Sequence, residues 1–361
     1  MSALQTNYLE PTGREEKWRF TPLKRLAGLH LKETKVTSNL SISAEGKSGA
    51  GYSITTMPSA ELPPVSKSDD AIVARVRENV TEATYLEIGK DQEIAEPIML
   101  ARKNLGSAEV SRAVIRAKSH SKAVVILESH GSAILGEEIE IILEPGAQLT
   151  FIALQEWAND TVHLGRHHAI VGRDASFTSI MVSIGGSLVR LLPSVEYDGP
   201  GGSAEMQGIY FATNGQHLEH RVFVDHNVTN AKSRVNYKGA LAGAEARTVW
   251  FGDVYIRKNA EGTDTYEMNR NLLLTDGARA DSVPNLEIET GEIVGAGHAS
   301  TTGRFEDEHL FYLMSRGIDE ADARRLVIRG FFAEVISQIP DEGIKERLTT
   351  RIDEELVRLG R

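Results

Sequence analysis

Residues 139–147, with the sequence Ile-Glu-Ile-Ile-Leu-Glu-Pro-Gly-Ala, combine a short β-branched run with a turn-forming cluster. β-Branched runs of this length favour strands, and a Pro-Gly pair ends them. Similar turn clusters follow along the chain, and their closing small residues recur every 28 positions, at Ala147, Ala175, Ser203 and Ala231. The period is regular although the sequence itself does not repeat, which indicates a structural repeat.

Weaker turn signals lie near the midpoint of each period, at Asn159-Asp160, Gly186-Ser187 and Asn214-Gly215. A strand unit of about 14 residues therefore recurs, and two units make one coil, as in stacked β-solenoids. An antiparallel sandwich remains the alternative, although its turns are usually about 8–12 residues apart. We predict a mainly β protein whose core, residues 84–303, is a right-handed parallel β-helix.

Residues 1–83 are predicted to form an N-terminal helical and loop region. Asp70 is a suitable N-cap for a short helix, because its carboxylate can accept from free backbone N–H groups. The apolar face of this helix would consist of Ile72, Val73, Val76 and Val80. The Ser/Thr/Gly-rich stretch 37–59 before it is predicted to be a loose loop.

Residues 304–361 change to a helical period and are predicted to form a C-terminal helical domain. One helix is expected from Phe305 to Ser315, and a second is expected from Asp319, its N-cap, to Ile339. A third helix has a single apolar stripe formed by Ile344, Leu348, Ile352, Leu356 and Leu359. Such stripes must be buried, either on each other or on a partner.

The chain has 361 residues, no cysteine and a formal net charge of −11. Without cysteine it can form no disulfide, no thiolate nucleophile and no iron–sulfur cluster ligated by this chain alone. Residues 1–7 show no secretory signal, and no apolar run approaches ~18 residues, so no membrane segment is expected. The acidic balance argues against nucleic-acid binding, and we predict a cytoplasmic protein.

Two functional hypotheses follow from the residues alone. A His-based metal-binding module would draw on two groups of histidines, which are His163, His167 and His168, and His217, His220 and His226. A β-solenoid carbohydrate-active enzyme would need several carboxylates on one face, and the candidates are Asp253, Asp264, Asp276 and Asp281. Histidines on a polar sheet face and aspartates at turns are the simpler explanation of both patterns.

The most specific pattern lies where the predicted strands end and the predicted helices begin. Residues 291–305 read Gly-Glu-Ile-Val-Gly-Ala-Gly-His-Ala-Ser-Thr-Thr-Gly-Arg-Phe, and residues 310–318 read Leu-Phe-Tyr-Leu-Met-Ser-Arg-Gly-Ile. An Arg-Gly-Phe-Phe run follows at 329–332, and residues 14–21 read Arg-Glu-Glu-Lys-Trp-Arg-Phe-Thr. These ordered motifs resemble those of the SufB/SufD family, the scaffold proteins of the SUF iron–sulfur cluster assembly system.

The resemblance implies a non-catalytic β-helix scaffold, and the N-terminal motif and missing cysteine favour the SufD branch. It implies a heterodimer with SufB through the β-helix edge, and docking of the SufC ATPase on the C-terminal helices. The residues implied for SufC docking are Phe311, Arg316, Arg329, Phe331 and Phe332. An isolated chain with an unpaired sheet edge is also expected to be able to form a homodimer.

The family motif places its implicated histidine at His298, which is expected to donate to iron or a nascent cluster shared with SufB. Some members of this branch carry cysteine two residues earlier, where this chain has Ala296. A thiolate role is therefore excluded here, and the resemblance implies that this chain alone binds no cofactor tightly. The partner would supply the thiolate and carboxylates that complete the site.

Overall fold

The computed structural model describes residues 8–44, 49–62, 66–305 and 307–359. The expectation about residues 1–7 lies outside this part of the chain. Strands that alternate between two sheets form a β-solenoid of about eight turns, so the predicted mainly β solenoid is confirmed. Its right-handedness stays a prediction.

The bounds of the secondary-structure elements follow in chain order. The first strands are β1 (Thr37–Ser38), β2 (Ile42–Ala44), β3 (Tyr52–Pro58), β4 (Glu82–Ile88), β5 (Ile98–Arg102), β6 (Ala108–Ala117), β7 (Lys122–Gly131), β8 (Ile134–Leu143) and β9 (Gln148–Trp157). The others are β10 (Val162–Gly172), β11 (Ser176–Ile184), β12 (Leu188–Asp198), β13 (Ser203–Ala212), β14 (His217–His226), β15 (Lys232–Leu241), β16 (Arg247–Ile256), β17 (Asp264–Leu273), β18 (Arg279–Ile288) and β19 (Gly295–Arg304). The helices are α1 (Ala71–Asn79), α2 (Asp307–Ser315), α3 (Glu320–Ile336) and α4 (Glu342–Leu359).

Each coil of the solenoid contributes one strand to each of two sheets. The ten-stranded sheet, called the first sheet, has the order β18-β16-β14-β12-β10-β8-β6-β4-β3, with β1 beside β6. The nine-stranded second sheet has the order β19-β17-β15-β13-β11-β9-β7-β5-β2. Neighbouring coils pair in parallel, whereas β3 and β2 pair antiparallel to β4 and β5 at the N-terminal end.

The spacing of paired residues is close to the predicted 28 positions in the central coils but varies along the chain, from 26 between Lys122 and Gln148 to 32 between Lys232 and Asp264. Gln148 pairs with Ser176 after 28 positions, and Ser203 pairs with Ser176 rather than continuing the series from Ala175. The marker at Ser203 is therefore wrong by one residue. Turn lengths vary from coil to coil, whereas the hydrogen-bonded ladder keeps the strands aligned.

The interior between the two sheets is filled by alternate side chains of each strand, as the twofold period of strands requires. In the second sheet Leu149 lies beside Phe177, and Ala153 lies beside Met181. These four side chains belong to one core cluster that runs from the first coils to Ile256 and Ala260. Each coil thus buries its inward residues against its neighbours.

The outer face of the first sheet is covered by the N-terminal region. Asp70 accepts a hydrogen bond from the backbone N–H of Ile72 at 2.9 Å, which confirms the predicted cap and helix α1. Ile72 and Val76 pack against Leu164 and Leu188 of the sheet. The loop predicted over 37–59 is wrong in part, because β1, β2 and β3 form there by pairing with distant strands.

The outer face of the second sheet is covered by the C-terminal helices. Phe332 and Ile328 of α3, with Leu348 and Ile352 of α4, form one buried cluster with the sheet, where Ile180 is a representative contact. Burial of each such side chain contributes about 1.5–3 kcal/mol. The helical stripes are therefore buried on the solenoid itself. In the part of the chain described, the helices are too short or too polar to cross a membrane.

Two tyrosine rings inside the solenoid fit because glycine lies opposite each of them. Tyr237 pairs with Gly208, and Tyr210 pairs with Gly239, on the adjacent strands β13 and β15. A Cβ atom added at Gly239 would lie 2.0 Å from Cε2 of Tyr210. The rings are fully buried in a close-packed interior, so the glycines supply volume that no other residue would leave.

Gly239→Ala is expected to lower the free energy of unfolding by about 1–3 kcal/mol, because the buried ring cannot move away from the new methyl group. Chemical unfolding of the purified chain measures this. Gly303→Ala is the matched control, since a Cβ there has nothing within 4 Å. Equal losses in the two variants would contradict the packing described for the Tyr210 ring.

Candidate functional site

The last coil, formed by β18 and β19, lies at the open end of the solenoid. Among the strands that the structure describes, each of these two pairs on one side only. Their residues are half-buried or exposed, whereas the central strand β10 is almost wholly buried. At this end the interior of the solenoid meets its surroundings.

His298 lies on β19 at this open end. In the parallel ladder it is directly beside Glu267 of β17, so both side chains point to the same, inward side of the second sheet. The imidazole is 44% exposed, and its Nδ1 lies 3.8 Å from Oε1 of Glu267. The motif residue predicted from the sequence is therefore an accessible side chain at the mouth of the interior.

Glu267 is buried beneath His298, and its side chain has no exposed surface. Neither carboxylate oxygen has a hydrogen-bond partner among the residues described. Burial, assisted by the negative charge of Asp253, raises the pKa of Glu267 to about 8. Leaving a buried polar group unpaired costs about 1–3 kcal/mol, so this carboxyl group is a feature that requires an explanation.

The neighbouring polar side chains of the same end are satisfied by one another. Asn269 donates to the hydroxyl of Tyr210 at 2.8 Å, and Asn271 donates to Oδ1 of Asn269 at 2.7 Å. Ser282 donates to the same Oδ1 at 2.8 Å, and Ser300 donates to Ser282 at 2.8 Å. The polar side chains at this end are thus hydrogen-bonded to one another, whereas both carboxylate oxygens of Glu267 lack a hydrogen-bond partner among the described residues.

Two of the predicted metal-ligand histidines form a closed ionic network deep in the core. His163 and His167 point inward from β10 and donate to one oxygen of Glu137, at 2.7 and 3.0 Å. Arg102 pairs with its other oxygen. Although burial opposes ionisation, the charges of Arg102 and His163 hold the pKa of Glu137 well below its usual value. Burial lowers the pKa of His163 itself.

The other candidate histidines do not converge. Each one has its own hydrogen-bond partner, namely Ser194 for His168, Glu219 for His217, Ser183 for His220 and Ser233 for His226. Burial lowers the pKa of His220 to about 3 and that of His226 to about 4, so both are neutral at pH 7. Within the described ranges, no group of three or more such side chains has an arrangement that could hold a metal ion.

The four candidate carboxylates of a carbohydrate enzyme are also separate. Each contacts its own partner, which is Asn285 for Asp253, Arg234 for Asp264, Arg304 for Asp276 and Arg247 for Asp281. Acid/base hydrolysis needs two carboxyl groups that face one substrate. These side chains stabilise turns and ladders instead.

The residues implied for partner docking lie in different environments. Phe311 of α2 is 74% exposed, beside the exposed Tyr312 and Met314. The guanidinium of Arg316 lies 5.3 Å from the Tyr312 ring centre, where it extends the same surface. Phe311 and its neighbours thus form an apolar patch, here called the α2 patch.

The remaining predicted docking residues belong to α3, where they contact α4 or the second sheet. Arg329 forms an ion pair with Asp353 of α4. Phe331 is half-buried, and the ammonium group of Lys238 lies 5.4 Å from its ring centre. Phe332 is 1% exposed and packs on the second sheet. Phe332 therefore offers no surface to a partner in this structure, since its ring is core.

The N-terminal motif at 14–21 is structural. Trp18 is buried, and the guanidinium of Arg190 lies 3.8 Å from its ring centre. Thr21 donates to Glu219 at 2.8 Å, and Glu219 is also paired with Arg190. Although burial opposes ionisation, the hydrogen bond from His217 and the charges of Arg190 and His217 lower the pKa of Glu219 to about 2. The motif ties the N-terminal region to the first sheet.

Sequence patterns did not identify Glu267. His298 was found through its motif, but the two residues are 31 positions apart and are joined only by the register of β17 and β19. The sequence offered one signal, which is that both residues occupy inward-facing positions of their strands. It becomes informative only when the pairing of coils is known.

Comparison with known proteins gives a consistent family. The family described as SUF system FeS cluster assembly, SufBD core domain, matches residues 99–331. An iron–sulfur cluster assembly SufBD family protein of Mycobacterium leprae is 47% identical over 354 residues, covering 96% of this chain and 90% of that protein. A relative of the same description in Mycobacterium tuberculosis is 46% identical, with 96% and 89% coverage.

The iron–sulfur cluster assembly protein SufD of Escherichia coli is more distantly similar. It is 26% identical over 384 residues, which cover 96% of this chain and 89% of that protein. The similarity extends over nearly the whole of both chains, so it includes the flanking helical regions as well as the solenoid.

Glu267→Gln is expected to raise the free energy of unfolding at pH 8 by up to a few kcal/mol and to leave it unchanged near pH 4. The carboxyl has an ordinary pKa of 4.5 when unfolded and about 8 when folded. As pH rises between these values, only the unfolded chain releases the proton, so the wild type loses stability there, whereas glutamine does not titrate.

Urea unfolding of the metal-free chain between about pH 4 and pH 9 measures this difference. The exposed Glu205 provides the control variant Glu205→Gln. Parallel pH profiles of wild type and Glu267→Gln would show that the buried carboxyl does not titrate as described.

Proposed function

The chain belongs to the SufBD family of iron–sulfur cluster assembly proteins, and on this premise we propose that it is a non-catalytic scaffold subunit of the SufD type. The similarity to a SufD protein along nearly the whole chain supports this assignment. A chain without cysteine holds no conventional cluster by itself, so its site must be shared with a partner that supplies thiolates. Its predicted cytoplasmic location is part of this proposal.

The open end of the solenoid is the proposed pairing surface for SufB. β18 and β19 are ten residues long and present unpaired backbone groups, which favours extension of the sheet by a strand from another chain. β18 contains Pro284, which lacks an N–H group, whereas β19 contains no proline. β19 is therefore the more suitable edge, and an isolated chain would use the same edge to form a homodimer.

The single observation that carries the proposal is the position of His298 on this edge strand, 44% exposed and directed into the mouth of the solenoid. A neutral imidazole is a suitable donor for Fe(II). Iron and the nascent cluster are the cargo of such a site, and thiolate from SufB would complete the coordination. The chain's own role is to hold the imidazole at the junction.

The α2 patch is the proposed docking surface for SufC. Its apolar side chains are exposed although hydrophobic, which is typical of a surface that a partner covers. β19 ends at Arg304 and α2 begins at Asp307, so the patch is nearly continuous with the strand that carries His298. Movement of SufC subunits on nucleotide binding would act on α2 and, through this short connection, on the open edge.

His298→Ala is expected to leave the complex with co-expressed SufB and SufC intact but to lower its iron content at least about tenfold, because a first ligand is lost. Co-purification and iron analysis after anaerobic reconstitution measure the two effects. Thr301→Ala, an exposed change on the same strand, is the control. Unchanged loading would make His298 structural, and a chain that never associates with SufB and SufC would refute the scaffold assignment.

Phe311→Ser is expected to weaken SufC binding about 10–100-fold, because a ring buried at an interface contributes about 1.5–3 kcal/mol. Titration of the SufB-containing complex with SufC measures the affinity. Leu105→Ser is a matched control, since Leu105 is 51% exposed just before β6 in the N-terminal half of the chain. Equal affinities of wild type and Phe311→Ser would place SufC elsewhere.

A further inference from the structure

Glu267 occupies an unusual position for an acidic residue. It is the inward residue paired with His298 in the ladder, and its Oε1 lies 3.8 Å from Nδ1 of that half-exposed imidazole. Its own side chain is fully buried. A carboxylate placed there is directed toward the accessible mouth of the solenoid.

The other fully buried glutamates of the described chain are paired. Glu137 is held by Arg102, His163 and His167, and Glu219 accepts from Thr21 and pairs with Arg190. Both oxygens of Glu267 lack any hydrogen-bond donor in the described ranges. A buried acceptor without a donor indicates that something is missing from the site, and a cation satisfies a carboxylate as a donor would.

The interior is also shaped to admit this carboxylate. Gly252 on the opposite strand β16 has no side chain, and a Cβ atom there would lie 2.2 Å from Oε2 of Glu267 and 2.2 Å from the Trp250 ring. The space that a methyl group would fill is taken by the carboxylate oxygen. The fold therefore accommodates an acidic side chain at the one inward position that faces His298.

The two side chains have the chemistry and spacing of a divalent-cation site. Carboxylate oxygen and imidazole nitrogen each bind such ions at ~2.1 Å, which puts two donors of one tetrahedral ion about 3.4 Å apart. The observed 3.8 Å between Nδ1 and Oε1 needs only a small side-chain rotation to reach this spacing. The His298 side chain is 44% exposed, which leaves room for further donors from a partner.

We propose that Glu267 is the second donor of this chain, which with His298 binds a divalent metal ion of the Fe(II) type at the open end of the solenoid. The inference rests on the proposed function for the identity of the ion as assembly cargo. The binding itself is a property of the isolated chain. On binding, the cation replaces the carboxyl proton of Glu267, and the resulting carboxylate supplies a negative charge that a neutral imidazole lacks. This charge retains the cation before a thiolate from the partner arrives.

Titration of the full-length isolated chain with Co(II), monitored by its visible ligand-field absorption, tests the proposal. We expect one bound ion, and at least about tenfold weaker binding for both Glu267→Gln and His298→Ala. Because both donors hold one ion, the double variant should lose little beyond either single change. Glu287→Gln, an exposed carboxyl on β18 of the same coil, should bind as wild type.

The outcomes separate the inference from the proposed function. If His298→Ala weakens binding and Glu267→Gln does not, the second donor is refuted and the scaffold function stands. If the wild-type chain shows no Co(II) binding up to about 1 mM, corresponding to a negligible affinity, the inference fails. Unfolding transitions of each variant show that it is folded, and Glu267→Gln retains the shape of the side chain it replaces.

Discussion

Every coil from β4 to β19 depends on one constraint, which is that an inward side chain can be buried only by the coils directly above and below it. The parallel ladder enforces this by aligning equivalent residues of successive coils. The Tyr210 ring needs Gly239 beside it. Glu137 is paired only inside the solenoid, by Arg102, His163 and His167. β19 is the last strand of its sheet among the described residues, and no further coil covers it there. The constraint is therefore lifted, and a polar, accessible residue such as His298 is tolerated.

Much of this architecture could be predicted from the sequence because its signals are local. Turn clusters defined the coil period, Asp70 and Asp319 marked the helix starts, and both side chains accept from backbone N–H groups as expected. β2 and β3 were missed because they exist through pairing with β5 and β4, which no local pattern reports. Phe332, predicted as a docking residue, is buried on the second sheet, because a helical stripe does not say what covers it. Its docking role stays a prediction.

The candidate site divides in the same way. His298 lies in a contiguous motif and could be identified from it, whereas Glu267 is related to His298 only by register across one coil. Register depends on the summed lengths of two turns, and these vary, as the one-residue shift at Ser203 shows. One residue of the site, His298, can therefore be found from its motif, whereas Glu267 can be found only from the stacking of the coils.

The two ends of the solenoid are not equivalent. The N-terminal end is closed by antiparallel strands, of which β2 has three residues and β3 ends in Pro58, and short or proline-bearing strands are poor templates for further pairing. The C-terminal end is long and unpaired. When two such molecules join through their C-terminal ends, only their closed N-terminal ends face outward. The assembly therefore stops at a pair. In the pairing proposed above, the fold would thereby limit the assembly to two chains and prevent growth into a filament.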